Sequence, residues 1–134
     1  MAATGVTKLR GFVQDGAGQA ATEMTGGPDA HFYSLYFGQL MPGTFNVLLD
    51  EPYLLVPDMP LAHTADGRVL RVQSCSVENL PGFLIQLGGE AQPSNLLHIV
   101  SAFPLRRFLR LQTGSEVNVK VAAVIEPSNG KGRQ

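Results

Sequence analysis

The chain has one cysteine, no tryptophan and few charged residues, and these shortages exclude several classes of protein. Cys75 has no second cysteine to pair with, so an intramolecular disulfide is impossible, as is a zinc site built from several thiolates. Charged residues make up 16% of the chain and the formal net charge is −1. A nucleic-acid-binding protein normally carries a basic excess. The composition therefore argues against a disulfide scaffold and against a nucleic-acid partner.

Long hydrophobic runs are also missing. The longest, such as Tyr53-Leu54-Leu55-Val56, are far too short to cross a bilayer. The first eight residues lack the charged-then-apolar order of a signal peptide. We therefore expect no membrane partner and a cytoplasmic location.

The chain is instead rich in short apolar segments that are separated by Gly, Pro and polar residues. Its 134 residues are 44% hydrophobic, which suits one compact domain with a core. We expect residues 1–127 to form that domain and residues 128–134 to form a flexible polar tail. Alternating or buried-type patterns predict six strands, at residues 8–14, 46–49, 68–76, 83–87, 96–100 and 117–121.

Turn and helix signals complete the predicted fold. Asp66-Gly67 and Leu80-Pro81-Gly82 are typical of turns that precede strands. Residues 30–36 and 104–111 carry apolar side chains at helical spacing and predict two short helices. Many short strands with one or two short helices predict a mainly β fold, a small barrel that is closed because closure removes unpaired edges.

The segment Met41–Asp50 carries the clearest chemical signal. Pro42 and Gly43 favour a turn, and the alternation after it places Thr44 and Asn46 on one face. A hydroxyl and an amide carbonyl are neutral hard-oxygen ligands, suited to a Mg²⁺ ion that also binds phosphates. The plain alternative is a hairpin strand with a solvated face, which the pattern alone favours.

Other motifs are weak when taken alone. Gly16-Ala17-Gly18 could bring backbone N–H groups to phosphates, but it lacks the third glycine of a dinucleotide fingerprint. Arg106 and Arg107 could bind phosphate at the start of a helix, or could simply form a solvated face. The three histidines are scattered, and His98, between Leu97 and Ile99, fits a hydrogen-bonded histidine near the core better than a metal ligand.

Together these pieces resemble the archaeal CTP-dependent riboflavin kinases. The matching pieces are the strand and GxG loop up to Gly18, the Pro-Gly-Thr-x-Asn-Val motif at residues 42–47, and the Pro-Leu-Arg segment followed by Leu-x-x-Gly-x-x-Val at residues 104–117. The resemblance covers roughly residues 8 to 121. It implies a six-stranded cradle-loop barrel that transfers a phosphate from CTP to riboflavin with the help of Mg²⁺.

The resemblance also implies roles for particular residues. Thr44 and Asn46 match the family's magnesium ligands. Glu90 and Asn95 fall on the flavin side. Glu90 is a candidate for the catalytic base only because it is a carboxylate in the altered flavin-side segment, and an ordinary surface glutamate is the alternative. The nucleotide-binding residues are Gly16, Ala17, Gly18, Gln19, Ala20, Ala21, Thr22, Leu105, Arg106 and Arg107.

The chain departs from the family at several of these positions. Ala20 replaces a usual glycine, Ala21 a usual polar or charged residue, and Arg107 a usual acid, while Asn95 replaces an expected glutamate. The segment 88–93 lacks the family's flavin-side pattern. Two functions therefore stay open: a kinase acting on riboflavin or a related small alcohol, and an inactive barrel that binds a nucleotide or a flavin.

Overall fold

The computed structural model of this protein describes residues 3–16, 37–38, 40–41, 43–64 and 66–125. The predicted helix at 30–36 and the predicted tail at 128–134 lie outside these residues. The described residues form seven strands and one helix: β1 (Ala3–Gln14), β2 (Phe45–Tyr53), β3 (Ala62–His63), β4 (Val69–Val77), β5 (Leu80–Gly88), β6 (Ser94–Val100), α1 (Leu105–Phe108) and β7 (Glu116–Ile125). No helix among them is long and apolar enough to cross a membrane.

Six of the strands close into an antiparallel barrel. Their order is β4-β5-β6-β2-β1-β7, and β7 pairs back onto β4 to complete the circle. The short strand β3 lies outside the barrel and pairs with β4 alone. The predicted closed, mainly β barrel is therefore confirmed.

Alternation along the strands explains how this barrel fills. In β7, Val117, Val119 and Val121 are buried whereas Asn118 is exposed, so every second side chain points inward. Each such buried aliphatic side chain contributes about 1.5–3 kcal/mol relative to an exposed one. The core cluster also includes Val13, Phe45, Val47, Leu49, Leu55, Cys75, Val77, Leu84, Leu97, Ile99 and Leu105.

The strands are joined by seams of unequal length. β1 and β7 are paired over ten residue positions, and β4 and β5 over nine. By contrast, β4 meets β7 at three positions and β5 meets β6 at three. The β5–β6 pairing ends at Ile85 opposite His98, although both strands continue beyond that point. The barrel wall is therefore split where residues 86–88 of β5 and residues 94–97 of β6 are not paired with each other.

The hairpin between β4 and β5 corrects one prediction. The turn expected at Leu80–Gly82 is wrong, because these residues belong to β5. The chain turns instead at Glu78 and Asn79, both with positive φ (45° and 75°), as a two-residue hairpin requires. The Glu78 carboxylate accepts a hydrogen bond from the backbone N–H of Asn118 at 2.8 Å, which helps to hold this strained turn.

The helix predicted at residues 104–111 is shorter in the structure, where α1 covers a single turn. Arg110 has a φ of 54° and ends it. Leu111 N–H donates to Arg106 O and Arg110 N–H donates to Arg107 O, which is the hydrogen-bond pattern of a Schellman cap. A helix of one turn has little dipole, so anion binding near it depends on side chains.

Candidate functional site

Thr44 and Asn46 meet at the start of β2. Gly43 has a φ of 89°, as the predicted turn needs, and β2 begins two residues later. Thr44 Oγ1 donates a hydrogen bond to Asn46 Oδ1 at 2.7 Å. The alternation of a strand therefore brings the two oxygens together on one face.

The burial of Asn46 bears on one of the two interpretations of this face. Asn46 is only 4% exposed, so it is not on a solvated strand face. A buried amide is costly unless its polar atoms are satisfied, and here Asn46 Oδ1 accepts the hydrogen bond from Thr44.

Gly16, at the end of β1, packs directly against Asn46. Gln14 pairs with Asn46 across the β1–β2 seam, so the chain leaving β1 passes over this side chain. A Cβ added to Gly16 would lie 2.6 Å from Asn46 Nδ2, which is too close for real atoms. Gly16, the first residue of the predicted nucleotide loop, therefore lies beside the predicted metal ligands. The rest of that loop, residues 17–22, lies outside the described residues.

His98 is the residue that the sequence did not assign to the site. It lies opposite Asn46 across the β2–β6 seam, and its Nδ1 is 3.0 Å from Asn46 Oδ1. Desolvation by the surrounding protein lowers the pKa of His98 below its ordinary value, although part of the ring stays exposed. The sequence signal predicted a hydrogen-bonded histidine correctly, but its partner is 52 residues away along the chain.

A cavity of about 360 Å³ opens beside Thr44 and carries two arginines. We call it the arginine cavity; its lining comprises Met41, Gly43, Thr44, Phe45, Ile99, Ser101, Phe103, Pro104, Leu105, Arg106 and Arg107. Its volume lies within the range of small-molecule sites, and aromatic and aliphatic side chains form much of its wall. The structure therefore brings Thr44 together with Leu105, Arg106 and Arg107, the predicted nucleotide segment.

Arg106 is held in place by two partners. Its Nη1 donates to Asp15 Oδ1 at 3.0 Å and its Nη2 donates to Thr113 Oγ1 at 2.8 Å. Thr113 Oγ1 in turn donates to Asp15 Oδ1 at 2.6 Å. The hydrogen bonds from Thr113 and Arg106 lower the pKa of Asp15, which keeps it ionised. Within the described residues, two of the five N–H donors of Arg106 are thus engaged.

A second cavity, of about 200 Å³, lies at the split between β5 and β6. We call it the leucine cavity; its lining comprises Tyr53, Leu55, Leu84, Ile85, Gln86, Leu87, Ser94, Leu96, Leu97 and His98. Gln86 Oε1 is buried and has no hydrogen-bond partner in the part of the chain that the structure describes. Arg71 Nη1, on the residue paired with Gln86 across the β4–β5 seam, is likewise buried and has no partner among the described residues, so this buried acceptor has a buried donor on the neighbouring strand.

The oxygen pair fits a magnesium ion. Two oxygens bound side by side to Mg²⁺ at about 2.0–2.1 Å are about 2.9 Å apart, and Thr44 Oγ1 and Asn46 Oδ1 are 2.7 Å apart. Mg²⁺ usually takes few protein ligands and completes its shell with phosphates and waters. The pair therefore has the chemistry of magnesium ligands, while its 2.7 Å separation is also the ordinary length of an O–H···O hydrogen bond.

The predicted flavin-side residues lie elsewhere. Glu90 is exposed in the bend after β5. Asn95 is also exposed, and its Nδ2 donates to Leu49 O at 3.2 Å. Neither residue lines the arginine cavity or the leucine cavity, so their roles stay predictions.

Comparisons with known proteins add no assignment. No protein-family model matches this chain, and no curated protein matches it either. The functional argument therefore depends on the residues and their geometry.

Proposed function

We propose that this protein is a Mg²⁺-dependent phosphotransferase that moves a phosphate from CTP to riboflavin, giving FMN, or to a related small alcohol. We also place it in the cytoplasm. One observation carries the proposal: the hydrogen-bonded residues Thr44 and Asn46 connect a residue of one cavity to a residue of another cavity with different chemistry. Thr44 lines the arginine cavity, and His98, which contacts Asn46, lines the leucine cavity.

The arginine cavity suits the phosphate donor. Phe45 and Phe103 offer apolar surface for a base or ribose, while Arg106 and Arg107 supply positive charge for phosphates. Arg106 is already ordered by Asp15 and Thr113, so less side-chain entropy is lost when phosphate binds. The choice of CTP over ATP rests on the family resemblance alone.

The leucine cavity suits the acceptor. An isoalloxazine ring needs a flat apolar slot with hydrogen bonds at its edge. Leu84 and Leu97 provide apolar walls, and Gln86 and Ser94 contribute polar side chains to the lining. Because Gly88–Pro93 differs from the family pattern, a different small alcohol remains within the proposal.

Phosphoryl transfer asks a protein mainly for positioning and charge neutralisation. A Mg²⁺ ion, when bound, would neutralise charge on the phosphates. Thr44 and Asn46 would hold it, and Arg106 would orient the phosphate chain. The acceptor hydroxyl oxygen would bond to the γ-phosphorus while the bond to the β-phosphate oxygen breaks. Glu90 remains the predicted acceptor of the hydroxyl proton.

A coupled assay with CTP, Mg²⁺ and riboflavin, run in parallel with ATP, tests the proposal. We expect FMN to form with CTP and Mg²⁺ and to be absent when Mg²⁺ is chelated. If neither nucleotide gives FMN, riboflavin is not the acceptor or the protein is not a kinase. Riboflavin fluorescence separates these results, because quenching at saturating protein reports binding without turnover.

The alternative function is an inactive barrel that binds a nucleotide or a flavin. The observation that favours it is the engagement of Arg106 by Asp15 and Thr113, which uses donors that a phosphate would otherwise take. This alternative predicts calorimetric binding of CTP or quenching of riboflavin, with no product in the coupled assay. The absence of quenching, with or without CTP and Mg²⁺, would exclude riboflavin from both functions.

A further inference from the structure

His98 lines the leucine cavity, and its contact with Asn46 restricts both side chains. His98 Nδ1 is 3.0 Å from Asn46 Oδ1, and Thr44 Oγ1 is 2.7 Å from the same oxygen. An amide oxygen only accepts hydrogen bonds. The contact therefore requires a hydrogen on Nδ1, and in the neutral ring Nε2 then carries none.

The other end of the amide faces Gly16. Asn46 Nδ2 occupies the space that a Cβ of Gly16 would fill. If the amide rotated by half a turn, Nδ2 would face Nδ1 of His98, which accepts a hydrogen bond only when the ring hydrogen is on Nε2. The hydroxyl of Thr44 can donate or accept, so it fits either orientation of the amide. The amide orientation is therefore tied to the tautomer of His98: the Nδ1–H form fits Oδ1 at this contact, and the Nε2–H form fits Nδ2.

We propose that His98 is a positioning residue that keeps Oδ1 of Asn46, rather than Nδ2, directed toward Thr44. A hard cation binds the amide oxygen and not the amide nitrogen, so this orientation is the one a Mg²⁺–nucleotide needs. If the hydroxyl of Thr44 rotates to offer a lone pair to a ligand, its hydrogen bond to Asn46 Oδ1 is lost. The hydrogen bond from His98 remains and holds the amide. The role of this contact in Mg²⁺–nucleotide binding rests on the proposed function, whereas the hydrogen bond between His98 and Asn46 does not.

The geometry is tested first on the free protein. Long-range ¹H–¹⁵N spectra at a pH where the ring is neutral distinguish a hydrogen on Nδ1 from one on Nε2. We expect the Nδ1–H form for His98, and loss of this preference in Asn46→Ala. His63, which lies exposed in β3, is the internal reference. An Nε2–H ring at His98, or an unchanged ring in Asn46→Ala, would overturn the inference.

The consequence is tested with three variants in calorimetric titrations of CTP with and without Mg²⁺. The amide of His98→Asn places an N–H near the position of Nδ1, that of His98→Gln places one near Nε2, and His98→Leu places none. Loss of a group that orients a metal ligand weakens metal binding by about 10–100-fold. We expect that loss in the Mg²⁺-dependent affinity of His98→Gln and His98→Leu, and near-complete retention in His98→Asn. His63→Gln should bind as the unmodified protein does.

The outcomes separate the two proposals. If His98→Asn is as weak as His98→Leu, or if all three variants bind normally, His98 does not position Asn46. If the unmodified protein binds no CTP in the presence of Mg²⁺, the proposed function fails, and the ¹⁵N spectra alone decide whether His98 holds the amide. Thermal unfolding of each variant checks that the barrel is intact.

Discussion

Two regions of this barrel were predicted to bind ligands, and they are constructed differently. Around Asn46, side chains from several elements bond to one another: Thr44, His98 and, nearby, the pair Asp15 and Arg106. In the segment 88–95, side chains bond to the backbone instead. Arg71, in β4, donates to Gly89 O, and Gln86, in β5, donates to Gln92 O.

The region around Asn46 is therefore a preorganised polar site, whereas the segment 88–95 is a loop whose backbone is held by hydrogen bonds from side chains. Side chains that fix one another hold a ligand geometry before the ligand arrives, which lowers the cost of binding. Bonds to the backbone at Gly89 and Gln92 shape the loop but leave Glu90 exposed. We infer that ligand specificity at the Asn46 side depends on single residues, and the following variants test this contrast.

Replacing Asn46 should have the largest effect. Asn46→Leu removes the amide oxygen, so we expect Mg²⁺-dependent CTP binding to be lost while the thermal transition stays largely intact. Asn95→Leu is the matched control, because Asn95 is an exposed asparagine of the other region. Calorimetry with and without Mg²⁺ measures both. An unchanged nucleotide affinity in Asn46→Leu would show that ligand binding does not depend on this residue more than on the segment 88–95.

Removing the Arg106 side chain should weaken triphosphate binding more than nucleoside binding. A lost charge-assisted hydrogen bond costs about 1.5–3 kcal/mol. Arg10→Ala is the control, since Arg10 is exposed and its ion pair with Glu116 is long, at 3.7 Å. Titrations of CTP and cytidine give the two affinities. Equal losses for the two ligands would instead assign Arg106 a packing role.

Adding one methyl group to Gly16 should have a smaller effect. The new Cβ would lie 2.6 Å from Asn46 Nδ2, so the amide must move. Overpacking costs about 1–3 kcal/mol, and we expect Mg²⁺-dependent CTP affinity to fall by roughly 10-fold. Gly89→Ala is the control, because no atom of the residues that the structure describes lies within 4 Å of its added Cβ. Similar CTP affinities in the two alanine variants would show that nucleotide binding does not depend on the exact position of the Asn46 amide.

The smallest effect concerns Asp66, which lies outside both regions and serves as a reference. Hydrogen bonds from Arg68 and Thr64 lower its pKa to about 2. Because the folded pKa is below the unfolded one, this contribution to stability is present above pH 3.8 and is lost as the pH falls through about 2. Thermal unfolding between pH 5 and 2 should therefore show a steeper fall for the unmodified protein than for Asp66→Asn. Parallel curves would contradict this.

The sequence predicted the parts of this fold that depend on local pattern. All six predicted strands belong to the barrel, because alternation reflects which face of a strand is buried. The predicted turn at Leu80–Gly82 failed, since Pro-Gly is a frequent turn signal but Pro81 fits within β5. The real turn uses Glu78, whose positive φ no local rule favours.

The site was predictable only where its residues are close in sequence. Thr44 and Asn46 are two positions apart, so the period of a strand was enough to place them together. His98 reaches Asn46 only because β6 pairs with β2, and Asp15 reaches Arg106 only because β1 ends near α1. Pairings between distant segments depend on the whole topology, which a single sequence does not reveal.

The unequal seams of the barrel have a consequence for its motions. The β4–β5 hairpin is joined to the other four barrel strands by two seams of three residue positions each. Amide protons of β1 and β7 should therefore exchange with solvent only on global unfolding, while those at both edges of the hairpin exchange through smaller, local openings. Since His98 is at the end of one short seam, such an opening would widen the leucine cavity and give a bulky ligand a route in. Hydrogen-exchange mass spectrometry would detect the hairpin as a separate cooperative unit.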